Sequence, residues 1–305
     1  MFHIAAFYLF VQLENPRAVA DALRTFCRER NIRGTVLIAP EGINGTIAGS
    51  QKGVDAVVEY LRADARFMNL EAKMATAESD PFYRLKVRLK KEIVTLGVGV
   101  VDTAGRTASR VPVGEWNALI SDPDTVVIDT RNDYEVAIGT FAGAINPATG
   151  SFRDLPAWID EHSELKGKRL AMFCTGGIRC EKATAYLLEN GYNEVYQLEG
   201  GILKYLEAAD EGSSLWNGEC YVFDRRVSVG HGLVAGDLEV CPGCNHVIGD
   251  KQRQNGRYRR GICCHGCADD LTPERESRFE ERQRQIELAE LRGETHLGSV
   301  FEESR

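Results

Sequence analysis

The chain has 305 residues, 43% of them apolar and 27% charged, proportions of a folded globular protein rather than a disordered or fibrous one. That length exceeds one ordinary core and fits two or three domains of roughly 100 to 150 residues each. The net charge of -8 argues only weakly against a nucleic-acid partner because it is uneven. Residues 1–110 carry 16 Lys and Arg against 12 Asp and Glu, residues 111–210 carry 8 against 16, and residues 211–305 carry 13 against 17. The N-terminal third is the part suited to an anion.

The first apolar run, Ile4 to Val11, is far shorter than the roughly 20 residues that cross a bilayer, and no basic lead or small-residue cleavage site flanks it. A cytoplasmic protein without a membrane partner is expected. Nine cysteines, five of them between Cys241 and Cys267, point to metal binding and catalysis in a reducing compartment rather than to a disulfide scaffold.

Residues 4–11 read as a strand. Asn15 and Pro16 then open a helix with Ala18, Leu23 and Phe26 on its apolar face, up to about Arg30. A strand follows at 34–39. The stretch Glu41-Gly42-Ile43-Asn44-Gly45-Thr46 reads as a loop leading to a helix that starts near Ser50. Strands are expected near 71–75, 83–89 and 92–96, which together make a small ferredoxin-like α+β unit. In its basic strand, alternation puts Arg84, Lys86, Arg88 and Lys90 on one face and Leu85, Val87 and Leu89 on the other. Such a ribbon is either the solvated face of a half-buried sheet or a platform for RNA phosphates.

Residues 98–111 read as a linker. Beyond it, a helix at 115–120, a strand at 125–129, helices at 132–137 and from Phe152, and a strand at 169–173 alternate as in a parallel sheet. Cys174-Thr175-Gly176-Gly177-Ile178-Arg179 begins where that last strand ends, the position at which such sheets hold ligands. A cysteine reacts as its thiolate, and backbone N–H groups and a helix N-terminus aimed at the sulfur favour that form. Gly176 and Gly177 let the chain curl around the sulfur, and Arg179 adds a cation at the start of a helix running through Glu181 to Asn190. Cys180 is a second thiol that either resolves a persulfide on Cys174 or packs the helix.

Further on, Cys241-Pro242-Gly243-Cys244 and Cys264-His265-Gly266-Cys267 are two Cys-x2-Cys knuckles 19 residues apart, the spacing of a four-cysteine zinc ribbon. Cys263 is a spare or an alternative ligand, His246 and His265 are histidines able to substitute, and disulfides or free thiols are the competing reading. Lys251, Arg253, Arg257, Arg259 and Arg260 with Tyr258 offer a second RNA contact. A highly charged helix from Thr272 to about Leu291, stopped at Gly293, is expected to be solvated or partner-facing, with the last dozen residues frayed.

Cys-x-x-Gly-x-Arg after a strand resembles the rhodanese active-site loop. Asp129-Thr130-Arg131, Glu135, Gly139 and Gly143-Ala144-Ile145-Asn146-Pro147 resemble that family's upstream signature, and Gly191-Tyr192 through Leu198-Glu199-Gly200-Gly201 its closing strand and turn. Thr140 stands where the family commonly has histidine and Tyr205 where it commonly has tryptophan. Related phosphatases have Cys-x5-Arg, whereas four residues separate Cys174 from Arg179, which favours sulfur over phosphate.

With the stretches 41–46 and 84–94 in front of Cys174-Thr175-Gly176-Gly177-Ile178-Arg179-Cys180-Glu181-Lys182, the whole chain resembles the bacterial tRNA uridine hydroxylase family. The resemblance implies a rhodanese-like α/β domain at 112–210, a ferredoxin-like domain at 1–98 and a small cysteine-rich, zinc-ribbon-like region at 213–305. It also implies an oxidoreductase of the monooxygenase type that uses molecular oxygen to convert the wobble uridine of tRNA to 5-hydroxyuridine. Cys174 is then the persulfide-forming cysteine, and a sulfur or electron donor is a further partner. No flavin, iron or nucleotide motif is visible. The rival expectation is a sulfurtransferase working through a Cys174 persulfide.

Overall fold

A computed structural model of the chain describes residues 1–103 and 107–292. Gly293 and the terminal dozen residues lie outside the described part.

Phe2–Phe10 (β1), Pro16–Arg28 (α1), Arg33–Ala39 (β2), Gly42–Gly49 (β3), Gln51–Arg62 (α2) and Glu71–Ala77 (β4) fold in ferredoxin-like order, and Leu85–Leu89 (β5) adds a fifth strand. The sheet runs β4-β1-β3-β2-β5 and is antiparallel except where β5 joins β2. Asn15 accepts the Ala18 N–H and Ser50 the Gly53 N–H, so both helices start where a capping side chain satisfies the first free amides. The two helices cover one face over Phe7, Leu23, Val36, Ile43 and Val57. The opposite face turns toward the rest of the chain.

Two expectations fail here. The stretch at 41–46, read as a loop because of its glycines, belongs almost entirely to the central strand β3. Gly42, at φ +142, has the Leu9 carbonyl oxygen 2.0 Å from where a Cβ would sit, so the residue permits close strand approach rather than marking a loop. Residues 92–96 form no strand, because their polar groups bond elsewhere. Ile93 N–H donates to Glu41 at 2.7 Å, the Ile93 carbonyl accepts from Asn44 at 3.0 Å, and Leu96 N–H donates to Glu92 at 3.1 Å.

The segment read as a linker ends in a strand, Ser109–Val111 (β6). Val113–Ser121 (α3), Thr125–Asp129 (β7), Asp133–Val136 (α4), Gly139–Phe141 (β8), Leu155–Glu161 (α5), Arg169–Phe173 (β9), Ile178–Glu189 (α6), Val195–Leu198 (β10) and Gly201–Ala208 (α7) follow. Their parallel sheet has the order β6-β10-β9-β7. Apolar layers pack on both faces, one including Leu170, Met172, Ala183 and Leu187, the other Trp116, Phe173, Ile202 and Tyr205.

Past residue 210 the chain stays on this core. Trp216–Gly218 (β11) pairs with β8, and the Trp216 ring meets Phe141 edge-on at 5.1 Å. Cys220–Tyr221 (β12) and Ser228–Val229 (β13) form a short hairpin. Glu239–Val240 (β14), Val247–Ile248 (β15), Asp250–Arg253 (α8) and Pro273–Leu291 (α9) make the C-terminal unit. Most of α9 is exposed, as its composition predicts, but it buries Phe279 and Ala289.

Candidate functional site: a thiolate loop under the N-terminal sheet

The end of β9 delivers Cys174 into an enclosed setting where it is 1% exposed. The Gly177 N–H points at its sulfur, 3.1 Å away. Gly177 has φ +102, and a Cβ there would stand 2.9 Å from the Tyr8 hydroxyl, so only glycine allows this curl beneath β1. Burial alone would push the Cys174 thiol up. A hydrogen bond from Cys180, the Arg179 cation and the Cys180 and Gly177 amides outweigh it and hold Cys174 well below the ordinary cysteine range. Cys180 moves the opposite way, because burial and the neighbouring thiolate keep its proton on. Its sulfur also lies 3.6 Å from the Thr130 hydroxyl.

Arg179 does not extend into open space. Its guanidinium grips both oxygens of Glu135 at 2.7 Å and donates to the Thr175 hydroxyl at 3.1 Å. Burial raises the Glu135 carboxyl, but Arg179 overrides it and keeps the group ionised. Arg179 therefore acts on the sulfur through its field and through the loop it fixes. Beneath it, Arg131 pairs with Asp129 at 2.6 Å in a fully buried ion pair, and Thr140 donates to Asp129 at 2.8 Å. Threonine thus takes the bond to this carboxylate at a position where rhodaneses commonly carry histidine.

The N-terminal sheet completes the setting. Lys73 on β4 donates to the carbonyl oxygens of Gly176 and Gly200, the latter at 2.5 Å. The residue is half-buried but its amine is enclosed, and desolvation pushes its pKa down to about 8 against the opposing pull of the Cys174 charge. Lys182, fully buried in α6, donates to Glu41 at 2.8 Å and contacts Glu92 at 2.5 Å, joining the two domains directly behind the loop. Glu181 accepts from Arg110 at 2.8 Å and from Gln197 at 3.2 Å.

Lys73 and Tyr8 were missed as site residues, and Glu135 and Lys182 were read only as parts of family-like stretches. The available signal was Lys73 sharing a strand face with Glu71 and Ala75, and a lysine at 182 set against Ala183 and Ala185.

Cys241, Cys244, Cys264 and Cys267 converge, with all four sulfurs within 4.8 Å of one another. Neighbouring sulfurs are 3.5 to 3.9 Å apart. Four thiolates around an ion at about 2.3 Å span tetrahedral edges of roughly 3.8 Å, so the donor set and its spacing fit a metal. All nine cysteines are free. Cys263 stands outside the cluster, its sulfur 3.7 Å from the Arg257 carbonyl oxygen, and His246 lies beside Cys244 at 3.2 Å.

Lys86 and Arg88 lie on β5 and Arg84 and Lys90 flank it at the far edge of the N-terminal sheet, three of the four exposed and Lys86 half-buried. None has a carboxylate within 4.0 Å among the described residues. In the C-terminal unit, by contrast, Arg253, Arg257 and Arg259 are paired with Glu239, Asp269 and Glu276. That occupies much of the second basic patch read from the sequence.

Family models match residues 2–93, as a UPF0176 acylphosphatase like domain, and residues 113–208, as a rhodanese-like domain. A tRNA uridine(34) hydroxylase of Teredinibacter turnerae is 54% identical over 97% of this chain and 92% of its own. Proteins of that name from Mesorhizobium japonicum and Acaryochloris marina are 51% and 48% identical, covering 97% and 98% of this chain and 96% and 97% of theirs. With identity this high along nearly its whole length, the chain belongs to the tRNA uridine(34) hydroxylase family.

Proposed function

We propose that this protein is an oxidoreductase that hydroxylates uridine 34 of tRNA to 5-hydroxyuridine, with Cys174 as its reactive group. The observation that carries the reading is the full-length identity to proteins named for that reaction, 54% in the first case. The buried, hydrogen-bonded Cys174 supplies a group fit for the chemistry. In this reading Arg179 keeps the sulfur ionised, Thr175, Gly176, Gly177 and Ile178 shape the loop, and Cys180 is the proton-bearing second thiol. Arg84, Lys86, Arg88 and Lys90 meet RNA phosphates.

Molecular oxygen is the proposed co-substrate. Placing one of its atoms at the uracil C5–H leaves the other to be reduced to water, which calls for two electrons and two protons from a donor partner. Zinc is the proposed ion of the four cysteines, where it would supply folding energy and no chemistry. Residues 1–98, 112–210 and 213–305 are taken as the working units of a cytoplasmic protein. No helix among the described residues is long and apolar enough to cross a membrane.

The test is the tRNA nucleoside profile by mass spectrometry in a deletion strain. The wild-type gene restores 5-hydroxyuridine, and Cys174→Ser lowers it at least about 1000-fold. An unchanged profile in the deletion strain overturns the reading. Rapid thiocyanate formation from thiosulfate and cyanide without that nucleoside phenotype would favour a sulfurtransferase.

A further inference from the structure

The open face of the N-terminal sheet is not sealed against the central domain. Between them lies a cleft of about 90 Å³, walled by Ala6, Thr46 and Lys73 from the sheet, Thr175 from the catalytic loop, and Phe223 from the hairpin that follows β11. Phe223 is 62% exposed and meets Tyr221 edge-on at 5.2 Å, so an aromatic face stands at the cleft mouth. Lys73 uses two of its three N–H donors on loop carbonyls, and the third has no acceptor among the described residues.

Strand pairing extends this site across the sheet. Lys73 pairs with Ala6, Ala6 with Thr46, Thr46 with Thr35, and Thr35 with Lys86, so the five positions form one row on the open face. With strands about 4.8 Å apart the row is about 19 Å long. All five residues are half-buried. The middle three carry only small side chains. The row leads from Lys73, beside the catalytic loop, to the cations of β5, which are free of carboxylates among the described residues.

Resting on the function proposed above, the geometry points to this cleft as the pocket for the target uracil, flipped out of its loop, and to the row from Thr46 to Lys86 as the path of the RNA strand. Each part has a physical task. The Phe223 ring offers a stacking surface, the spare Lys73 N–H suits a uracil carbonyl, and Thr175 brings the base against the Cys174 loop. The basic strand then holds phosphates a short reach away, which binds the strand without reading its sequence. A base still stacked in its own loop has no route to a sulfur this deeply buried.

The experiment is photo-cross-linking of the full-length chain to tRNA carrying 4-thiouridine at position 34, with the modified peptide identified by mass spectrometry. Cross-links are expected in the peptides holding Lys73 and Met74 or Phe223. In parallel, Thr46→Tyr puts a bulky ring into the cleft. It is expected to lower kcat/KM for tRNA at least about tenfold while the thermal unfolding transition stays at the wild-type temperature.

Cross-links confined to other peptides, or a normally folded Thr46→Tyr within about twofold of wild type, overturn the inference. Should the thermal transition show that the variant has not folded, the cross-link map of the wild-type chain decides alone. Cross-links in the cleft without any hydroxylation would sink the hydroxylase reading and leave the RNA path standing.

Discussion

In the central domain, Asp129, Arg131, Glu135 and Arg179 are buried and paired with one another, against aromatic rings such as Phe173 and Trp216. In the C-terminal unit the arginines pair with carboxylates in water, and the buried core is little more than five residues, four of them cysteines. The first region has enough apolar surface to carry charge inside and uses it to fix a loop. The second is too small to close a core from side chains alone, so its order depends on what its sulfurs hold. Exposed ion pairs contribute little to either.

The largest effect expected from this contrast is on metal removal. Structural zinc sites of this kind contribute about 10 kcal/mol or more to folding. Chelation, or Cys241→Ser with Cys264→Ser, should therefore open the segment beyond about Leu238 to protease while the two preceding domains keep their thermal transition. One zinc per chain by elemental analysis is the matching measurement. If the segment resists protease without metal, the contrast between the two regions is wrong.

Next comes Glu135→Gln. It leaves the Arg179 cation buried with only Thr175 and the thiolate for company, at a cost of about 3 kcal/mol in denaturant unfolding. The same change removes the charge that offsets Arg179, so the Cys174 thiol should move still further down. A thiol held below its unfolded value adds stability at high pH and loses it as the pH falls through the folded value. In the variant this loss is displaced to lower pH, and the alkylation rate of Cys174 against pH should shift with it.

Lys182→Met probes the joint behind the loop. It strands Glu41 and Glu92, both partly open to water, so the expected loss is smaller, about 2 kcal/mol. Burial raises the Glu92 carboxyl, and Lys182 reverses that and draws it below its ordinary value. Its contribution is therefore present above the unfolded carboxylate range and lost as the pH falls through the folded value. Without Lys182 the acid side of the stability profile should flatten, and a curve of unchanged shape would show that the contact does not couple the domains.

The parts legible in the sequence were those whose physics is local. Cys174 to Arg179 is one turn of chain, each Cys-x2-Cys knuckle is self-contained, and Asn15 with Pro16 caps the helix it begins. The illegible parts were settled by partners far away in sequence. Lys73 reaches Gly176 across 103 residues and Tyr8 approaches Glu181 across 173, so no window around Cys174 could reveal that a second domain roofs the loop. The glycines of β3 misled for a related reason. Their use is the close approach of neighbouring strands, which exists only once the sheet is formed.

The smallest expected effect separates packing from polar fixing within the central core. Tyr205, where rhodaneses commonly have tryptophan, is fully buried edge-on to Phe141 at 4.7 Å. Its hydroxyl donates to Asn117 at 2.7 Å and accepts the Leu215 N–H at 3.0 Å, tying α3 to the segment that leads into β11. Tyr205→Phe keeps the ring and deletes both bonds, so unfolding free energy should fall by about 1 kcal/mol. The cleft near Phe223 lies farther along that same segment, so loosening Leu215 should also raise KM for tRNA while kcat holds. A stability loss with an unchanged KM would confine the hydroxyl to holding the core.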